Sequence, residues 1–277
     1  MKILSKKLKI NEMKTLCQSF RKEIIDMVYN AKSGHIAGPL GAVEQYVALY
    51  FGDVLKYNPK NPKWEKRDRV VISNGHYAPL AYLVLAEAGF FDKQILKTFR
   101  NFESILQGHP NKKTPGIETS SGPVGEGLSQ ATGMCLASKL DKNPYQVYCL
   151  MGDGEQQEGS TWEAVMFAAK YKLDNLICLI DRNQIQIDGH TEDVMPIEPL
   201  KAKYESFNWN VIEVDGHNLK EIINAINQAK FINDNPTVII CNTLAGKGVS
   251  FIENKSEWHG KSISDDVYQK IQNELNN

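Results

Sequence analysis

Apolar side chains recur along this chain in two rhythms. Over residues 12–31 they fall at Leu16, Phe20, Ile24, Met27 and Ala31. Steps of three or four residues predict a helix with one buried face. Residues 40–51 read as helical too. Elsewhere the apolar residues come in short unbroken runs: VVIS (70–73), YQVYCLM (145–151), NLICLID (175–181), WNVIEV (209–214) and PTVIIC (236–241). Runs of that length read as strands covered on both faces. Helices are predicted between them over 77–89, 127–140, 159–171 and 218–230. The stretch 242–277 is more polar and reads as a loop followed by a short C-terminal helix. Together these elements predict an α/β fold, a parallel sheet flanked by helices. No repeat or low-complexity linker divides the chain, so residues 1–277 read as one domain, long enough to bury a sizeable core.

In an open α/β sheet, ligands bind beyond the carboxyl ends of the strands. Gly152-Asp153-Gly154 follows the run 145–151, and Arg182-Asn183 follows 175–181. Asp153 and Asn183 are thirty positions apart (183 − 153 = 30), about one βαβ unit. A right-handed crossover would bring both to one edge of the sheet. If the strands are also adjacent, a carboxylate and an amide oxygen converge on one hard cation, and Mg²⁺ suits such oxygen ligands. The Gly-Asp-Gly tripeptide alone reads equally well as a strand-ending turn. The spacing of Asn183, with a further turn at Asp188-Gly189, favours a ligand. A second glycine-rich segment, SSGPVGEGLSQATG (120–133), crowds Gly122, Gly125, Gly127 and Gly133 at the start of a helix, a natural anion site. It lacks the preceding strand that a dinucleotide fingerprint requires. AGKGVS (245–250) echoes a P-loop, but Cys241 stands where that motif needs its first glycine.

Composition mainly excludes. With 32 basic and 33 acidic residues and a net charge of -1, nothing points to nucleic acid as a partner. No apolar run approaches the roughly 18 residues of a membrane span, and MKILSKKLKINEMK has no apolar leader. Five scattered cysteines (Cys17, Cys135, Cys149, Cys178, Cys241) form no CxxC or zinc spacing and read as buried free thiols of a reducing cytoplasm. The histidines are more informative. Five of the six follow a glycine (His35, His76, His109, His190, His217), and His259 precedes Gly260. His190 and His217 read as solvated turns. His35, His76, His109 and His259 stand in apolar, Gly/Pro-bounded or aromatic loops. Imidazoles lining one pocket would suit a hydroxylated, phosphorylated substrate, since they donate and accept hydrogen bonds near neutral pH.

Seven segments in order, SGHIAGPLGAVE (33–44), RDRVVISNGHYAPLAY (67–82), GHP (108–110), SSGPVGEGLSQATGMCLA (120–137), GDGEQQEGSTWEA (152–164), LIDRNQIQIDG (179–189) and GKGVSFIENKSEWHGK (246–261), make the chain resemble the N-terminal part of transketolase over nearly its whole length. The resemblance implies thiamine diphosphate as cofactor. It implies that Asp153 and Asn183 ligate Mg²⁺ or Ca²⁺ through their side chains and Ile185 through its carbonyl. Gly152, Gly154 and Glu155 would form the cofactor-binding stretch, with Gly154 against the diphosphate and His76 and His259 beside it. Gly122, Pro123 and Val124 would line the cofactor. His35 and His109 would face the substrate and, with His259, assist proton transfers. Glu158 would join a carboxylate network at a subunit interface. Two departures are small: SGHIAGPLG replaces the usual SGHPGAPLG, and GPVGEG the usual GPLGQG, so Val124 is smaller than the family's leucine.

A typical transketolase is more than twice this long, and its second part supplies the pyrimidine-binding glutamate and the arginines for the substrate phosphate. The resemblance therefore implies a split enzyme, with the pyrimidine-binding and C-terminal domains on a separate chain. The expected assembly is a cytoplasmic heterotetramer that transfers a two-carbon ketol unit between sugar phosphates and is active only with its partner. Three other readings fit less well. The α chain of a 2-oxo acid dehydrogenase would share GDG and the distant asparagine but not SNGHYAPL or EWHGK. Deoxyxylulose phosphate synthase differs after the first SGH. A non-catalytic subunit would not need substrate-facing imidazoles. Whether the sugars belong to the pentose phosphate pathway or to a dedicated one stays open at this point.

Overall fold

A computed structural model describes residues 5–276; residues 1–4, at the head of the stretch read as lacking a leader, and residue 277 lie outside it. The chain opens with α1 (Ile10–Ala31), which buries Met13, Cys17, Phe20, Ile24 and Val28 along one face. The predicted helix at 40–51 is two helices, α2 (Ala37–Gly41) and α3 (Val43–Phe51), broken at Ala42. The break falls where Gly41 presses on the carbonyl of Leu244, which a Cβ would approach to 2.8 Å. Pro39 is tolerated in the first turn because its missing N–H has no helical partner there. Next come β1 (Arg69–Ile72), a short 3₁₀ turn over Gly75–Tyr77 and α4 (Ala78–Glu87). Almost every residue of α4 is buried, as befits a helix that is apolar all round.

The second half alternates as predicted: α5 (Gly127–Leu140), β2 (Val147–Gly152), α6 (Gly159–Lys170) and β3 (Leu176–Arg182). A small hairpin, β4 (Ile185–Gln186) and β5 (Gly189–His190), then leads to α7 (Thr191–Val194) and α8 (Leu200–Ser206). The sequence showed the Asp188-Gly189 turn but not that it closes a hairpin, and not the two short helices. The chain continues through β6 (Asn210–Asp215), α9 (Leu219–Ala229) and β7 (Thr237–Asn242) to α10 (Asp265–Asn276).

Five strands form one all-parallel sheet in the order β1-β2-β3-β7-β6. Successive side chains of β2 and β3 enter different cores. Tyr148, Leu150, Ile177 and Leu179 pack toward α1, α3, α4 and α9. Cys149, Met151, Cys178 and Ile180 pack toward α5, α6 and α8. Burial on both faces explains why these strands read as unbroken apolar runs. All five cysteines are buried and free. Among the described residues, no helix is long and apolar enough to cross a membrane.

Candidate active site

β2 and β3 are neighbours in register, with Gly152 opposite Asp181, so Asp153 and Asn183 do reach one edge of the sheet. The backbone N–H of Asp153 donates to the Asp181 carbonyl at 3.2 Å across that edge. The Asp153 side chain is enclosed. Both of its hydrogen bonds fall on Oδ2, from the Gln184 N–H at 2.6 Å and from Arg182 Nη1 at 3.0 Å, and Oδ1 remains for another partner. Gln184 has a positive φ of 65°, the bend that turns its N–H back on Asp153. Arg182 also pairs with Glu192 at 3.2 Å and Glu198 at 3.0 Å. Burial, reinforced by nearby Asp181, pushes the Asp153 carboxyl up to about 7 against the pull of Arg182.

Asn183 is oriented from behind. Its Nδ2 donates to Asp181 Oδ2 at 2.7 Å and to the Tyr77 hydroxyl at 3.1 Å, and its Oδ1 accepts from the Ile185 N–H at 2.9 Å. Asp181 is held in turn by Tyr77, by Thr243 at 2.5 Å and by Gln45 at 3.1 Å. The sequence reading missed Asp181, Tyr77, Gln45 and Thr243. A carboxylate at the end of the buried run NLICLID was the available signal, because such a group must be hydrogen-bonded on all sides to be tolerated.

Glu155 ties the glycine loop to the sheet. It accepts from the Gly125 N–H at 3.1 Å, from the Gly152 N–H at 2.7 Å and from the Ser73 hydroxyl. Burial lifts its carboxyl to about 7 in spite of these bonds. Glu155 lines the site, yet its carboxylate is already engaged by protein. At Gly122 a Cβ would meet nothing within 4 Å, so the loop leaves open space there.

Four imidazoles converge above this edge. Ring centroids lie 5.2 Å apart for His35 and His76, 5.0 Å for His76 and His259, 5.5 Å for His35 and His259, and 6.5 Å for His35 and His109. The glycines beside them let the rings approach. A Cβ on Gly260 would sit 3.3 Å from the His35 ring, and one on Gly75 3.2 Å from that of His109. Among the described residues, no hydrogen bond joins these rings to protein groups, so their nitrogens are free for a ligand. Burial, with the neighbouring imidazoles and Arg100 adding to it, lowers His35 to about 4. Burial also sets His76 well below the usual imidazole value and lowers His109 and His259. The cluster is therefore neutral near pH 7.

One cavity of about 420 Å³ joins these parts. Of the residues singled out in the sequence, His35, His76, His109, His259, Gly122, Val124, Gly152, Asp153, Gly154, Glu155, Glu158 and Ile185 line it. Asn183 lies just behind, and Pro123 is exposed beside the lining. Glu158 is exposed at the start of α6, and Val124 and Ile187 expose apolar surface at the cavity. His190 is exposed, as expected of a turn. His217 is not: it is mostly enclosed, its Nε2 accepts from the Leu244 N–H at 2.9 Å, and its Nδ1 faces Glu44 at 3.4 Å. A parallel sheet brings the loops after β6 and β7 together, and local sequence around Gly216-His217 could not show that.

A family model described as "Transketolase, thiamine diphosphate binding domain" matches residues 12–276. The chain belongs to this transketolase family. One of the two subunits of an apulose-4-phosphate transketolase from Phocaeicola vulgatus is 42% identical over 255 residues, covering 92% of this chain and 90% of the relative. A 6-deoxy-6-sulfo-D-fructose transketolase subunit from a Clostridium species is 40% identical over 256 residues, 92% of this chain and 93% of the relative. Human transketolase is 37% identical over 268 residues, which are 96% of this chain but 42% of that one. The crystal structure of transketolase from Campylobacter jejuni superposes with a TM-score of 0.90 at 35% identity, covering 97% of this chain and 43% of that chain. The chain thus spans about two-fifths of these single-chain transketolases and nearly all of the named subunits.

The residues present fit thiamine diphosphate. Glycine backbone borders the cavity at Gly122, Gly152 and Gly154, which allows close approach of phosphate. Among the described residues, no group of three or more His, Cys, Asp or Glu could hold a metal ion. A cation at the Asp153–Asn183 edge would need oxygens from elsewhere, and a diphosphate provides them.

Proposed function

We propose that this chain is the diphosphate-binding half of a two-chain transketolase, transferring a two-carbon ketol unit from a ketose phosphate to an aldose phosphate once a second chain completes the site. The observation that carries this reading is the convergence of four neutral imidazoles over the Asp153–Asn183 edge, in a cavity bordered by exposed Val124, Ile187 and Glu158. Residues 1–277 form one domain in this reading, and the pyrimidine-binding and C-terminal domains lie on the partner. The near-complete coverage of relatives named as subunits supports that division. Two copies of each chain would assemble in the cytoplasm, a reducing compartment suited to five free thiols.

Asp153 Oδ1, Asn183 Oδ1 and the Ile185 carbonyl would hold Mg²⁺ or Ca²⁺ against the diphosphate, with Gly154, His76 and His259 beside it. Gly122, Pro123 and Val124 would follow the rest of the cofactor. When bound, thiamine diphosphate supplies the electron sink for breaking and making the carbon–carbon bond beside a ketose carbonyl. The protein's part is orientation and proton handling. His35, His109 and His259, kept neutral, can each donate to one sugar oxygen and accept from another. Glu158 would meet the partner's surface and join carboxylates across the interface.

The test is ketol transfer from xylulose 5-phosphate to ribose 5-phosphate with thiamine diphosphate and Mg²⁺. It is run on this chain alone and on its mixture with the product of the neighbouring gene. Activity in the mixture only supports the half-site. Activity of this chain alone overturns it. The names of two relatives favour a second reading of the donor, an unusual ketose of the apulose 4-phosphate or 6-deoxy-6-sulfofructose kind. Substituting those donors in the same assay separates the two readings.

A further inference from the structure

Arg100 precedes the loop that carries His109. Its backbone is left-handed, with φ 61°, and its N–H donates to the Leu106 carbonyl at 2.8 Å. The guanidinium turns toward two other loops. Nη1 donates to Ser33 Oγ at 2.7 Å. The rest of the group lies against Gly108, where a Cβ would come within 2.5 Å of Nη2 and 2.7 Å of Cζ. Ser33 stands two residues before His35, and Gly108 immediately before His109. Arg100 Nε is enclosed and, among the described residues, has no hydrogen-bond acceptor.

Both features are unfavourable in themselves. A non-glycine residue at positive φ is strained, and an enclosed N–H without an acceptor forfeits its hydration. Such costs persist where surrounding structure over-determines them, often at working sites. We propose that Arg100 is a positioning residue of the substrate pocket, its guanidinium bridging the Ser33 turn and the Gly108 turn so that His35 and His109 stand at their 6.5 Å separation. This rests on the reading of those two imidazoles as substrate-facing. Arg100 does not itself line the cavity and acts through the histidines.

The bridge has an electrostatic consequence. His35 faces His76, His109, His259 and Arg100, and His109 faces His35 and Arg100. After burial and, for His35, the neighbouring imidazoles, the Arg100 cation lowers the proton affinity of both rings. Removing the charge must raise both titration midpoints. Lysine keeps the charge but cannot reproduce the planar fork that spans two loops.

Arg100→Met and Arg100→Lys are compared with the parent in the full chain. Ring titrations are followed by NMR on histidine-labelled protein, and kinetics are measured in the two-chain complex. The expected result is an upward move of the His35 and His109 midpoints in the methionine variant but not in the lysine variant. In both, the donor KM rises about tenfold, the scale of one charge-assisted hydrogen bond, while thiamine diphosphate affinity is unchanged. Parental midpoints and parental KM in Arg100→Met overturn the proposal. If Arg100→Met does not fold, Arg100→Lys decides it: a raised donor KM supports the bridge and an unchanged one refutes it. If the parent complex transfers no ketol group from any donor, the functional reading fails. The titrations then still decide on Arg100, since unmoved midpoints in the methionine variant reject the bridge whatever the reaction.

Discussion

Asn183 Nδ2 donates to Asp181 Oδ2 at 2.7 Å, and that bond fixes which end of the amide faces the ligand edge. A carboxylate only accepts, so it binds the nitrogen and turns the oxygen away. Asparagine at position 181 would offer both a donor and an acceptor and would remove that selection. Outer residues of this kind typically account for 10- to 100-fold in metal affinity. Asp181→Asn is therefore expected to weaken Mg²⁺-dependent thiamine diphosphate binding by about that factor, as read by cofactor titration at fixed Mg²⁺. Parental affinity would show that Asp181 supports the fold alone.

Asp153→Ala is expected to abolish metal-dependent cofactor binding. The chain should still fold, because Arg182 keeps Glu192 and Glu198 as partners. Calorimetric titration of cofactor with Mg²⁺, beside a near-UV spectrum to confirm packing, makes the measurement. Unchanged affinity removes Asp153 from the metal site.

His109→Ala should separate binding from turnover. His109 is the most exposed of the four imidazoles and the farthest from His35. Cofactor affinity should hold while kcat falls by about 10²-fold, the lower range for loss of a proton-handling side chain. Normal turnover in the two-chain complex removes it from the substrate pocket.

Two glycines of α5 should respond in opposite directions. Gly127 abuts the Ser73 side chain and backbone, and a Cβ there would collide with them. Gly133 is an exposed residue inside the helix with nothing within 4 Å of a Cβ. Gly133→Ala should raise stability by about 0.5–1 kcal/mol through helix propensity. Gly127→Ala should lower it and displace the loop that Glu155 anchors. Thermal melts of the chain alone decide both, and a stabilised Gly127→Ala would disprove the close contact.

The sheet was legible because each strand is buried on both faces and reads as an apolar run. The ligand edge was legible because Asp153 and Asn183 sit one βαβ unit apart, and a parallel crossover turns that spacing into proximity. What escaped depended on non-local packing. The helix break at Ala42 is set by Leu244, two hundred residues away (244 − 42 = 202). The role of His217 depends on the loop after β7. Arg100 looked like any loop arginine until the fold placed Ser33 and Gly108 around it.

The glycine next to each histidine mostly serves a different histidine. Gly75 adjoins His76 in sequence but makes room for His109, and Gly260 adjoins His259 but makes room for His35. The loops are thus interleaved, and main chain rather than packed side chains sets the width of the imidazole wall. Enlarging this pocket for a bulkier sugar cannot be done by trimming the residues behind the rings, which are already glycine. It has to come from replacing an imidazole, so new sugar scope and loss of a proton-handling group are tied together in this chain.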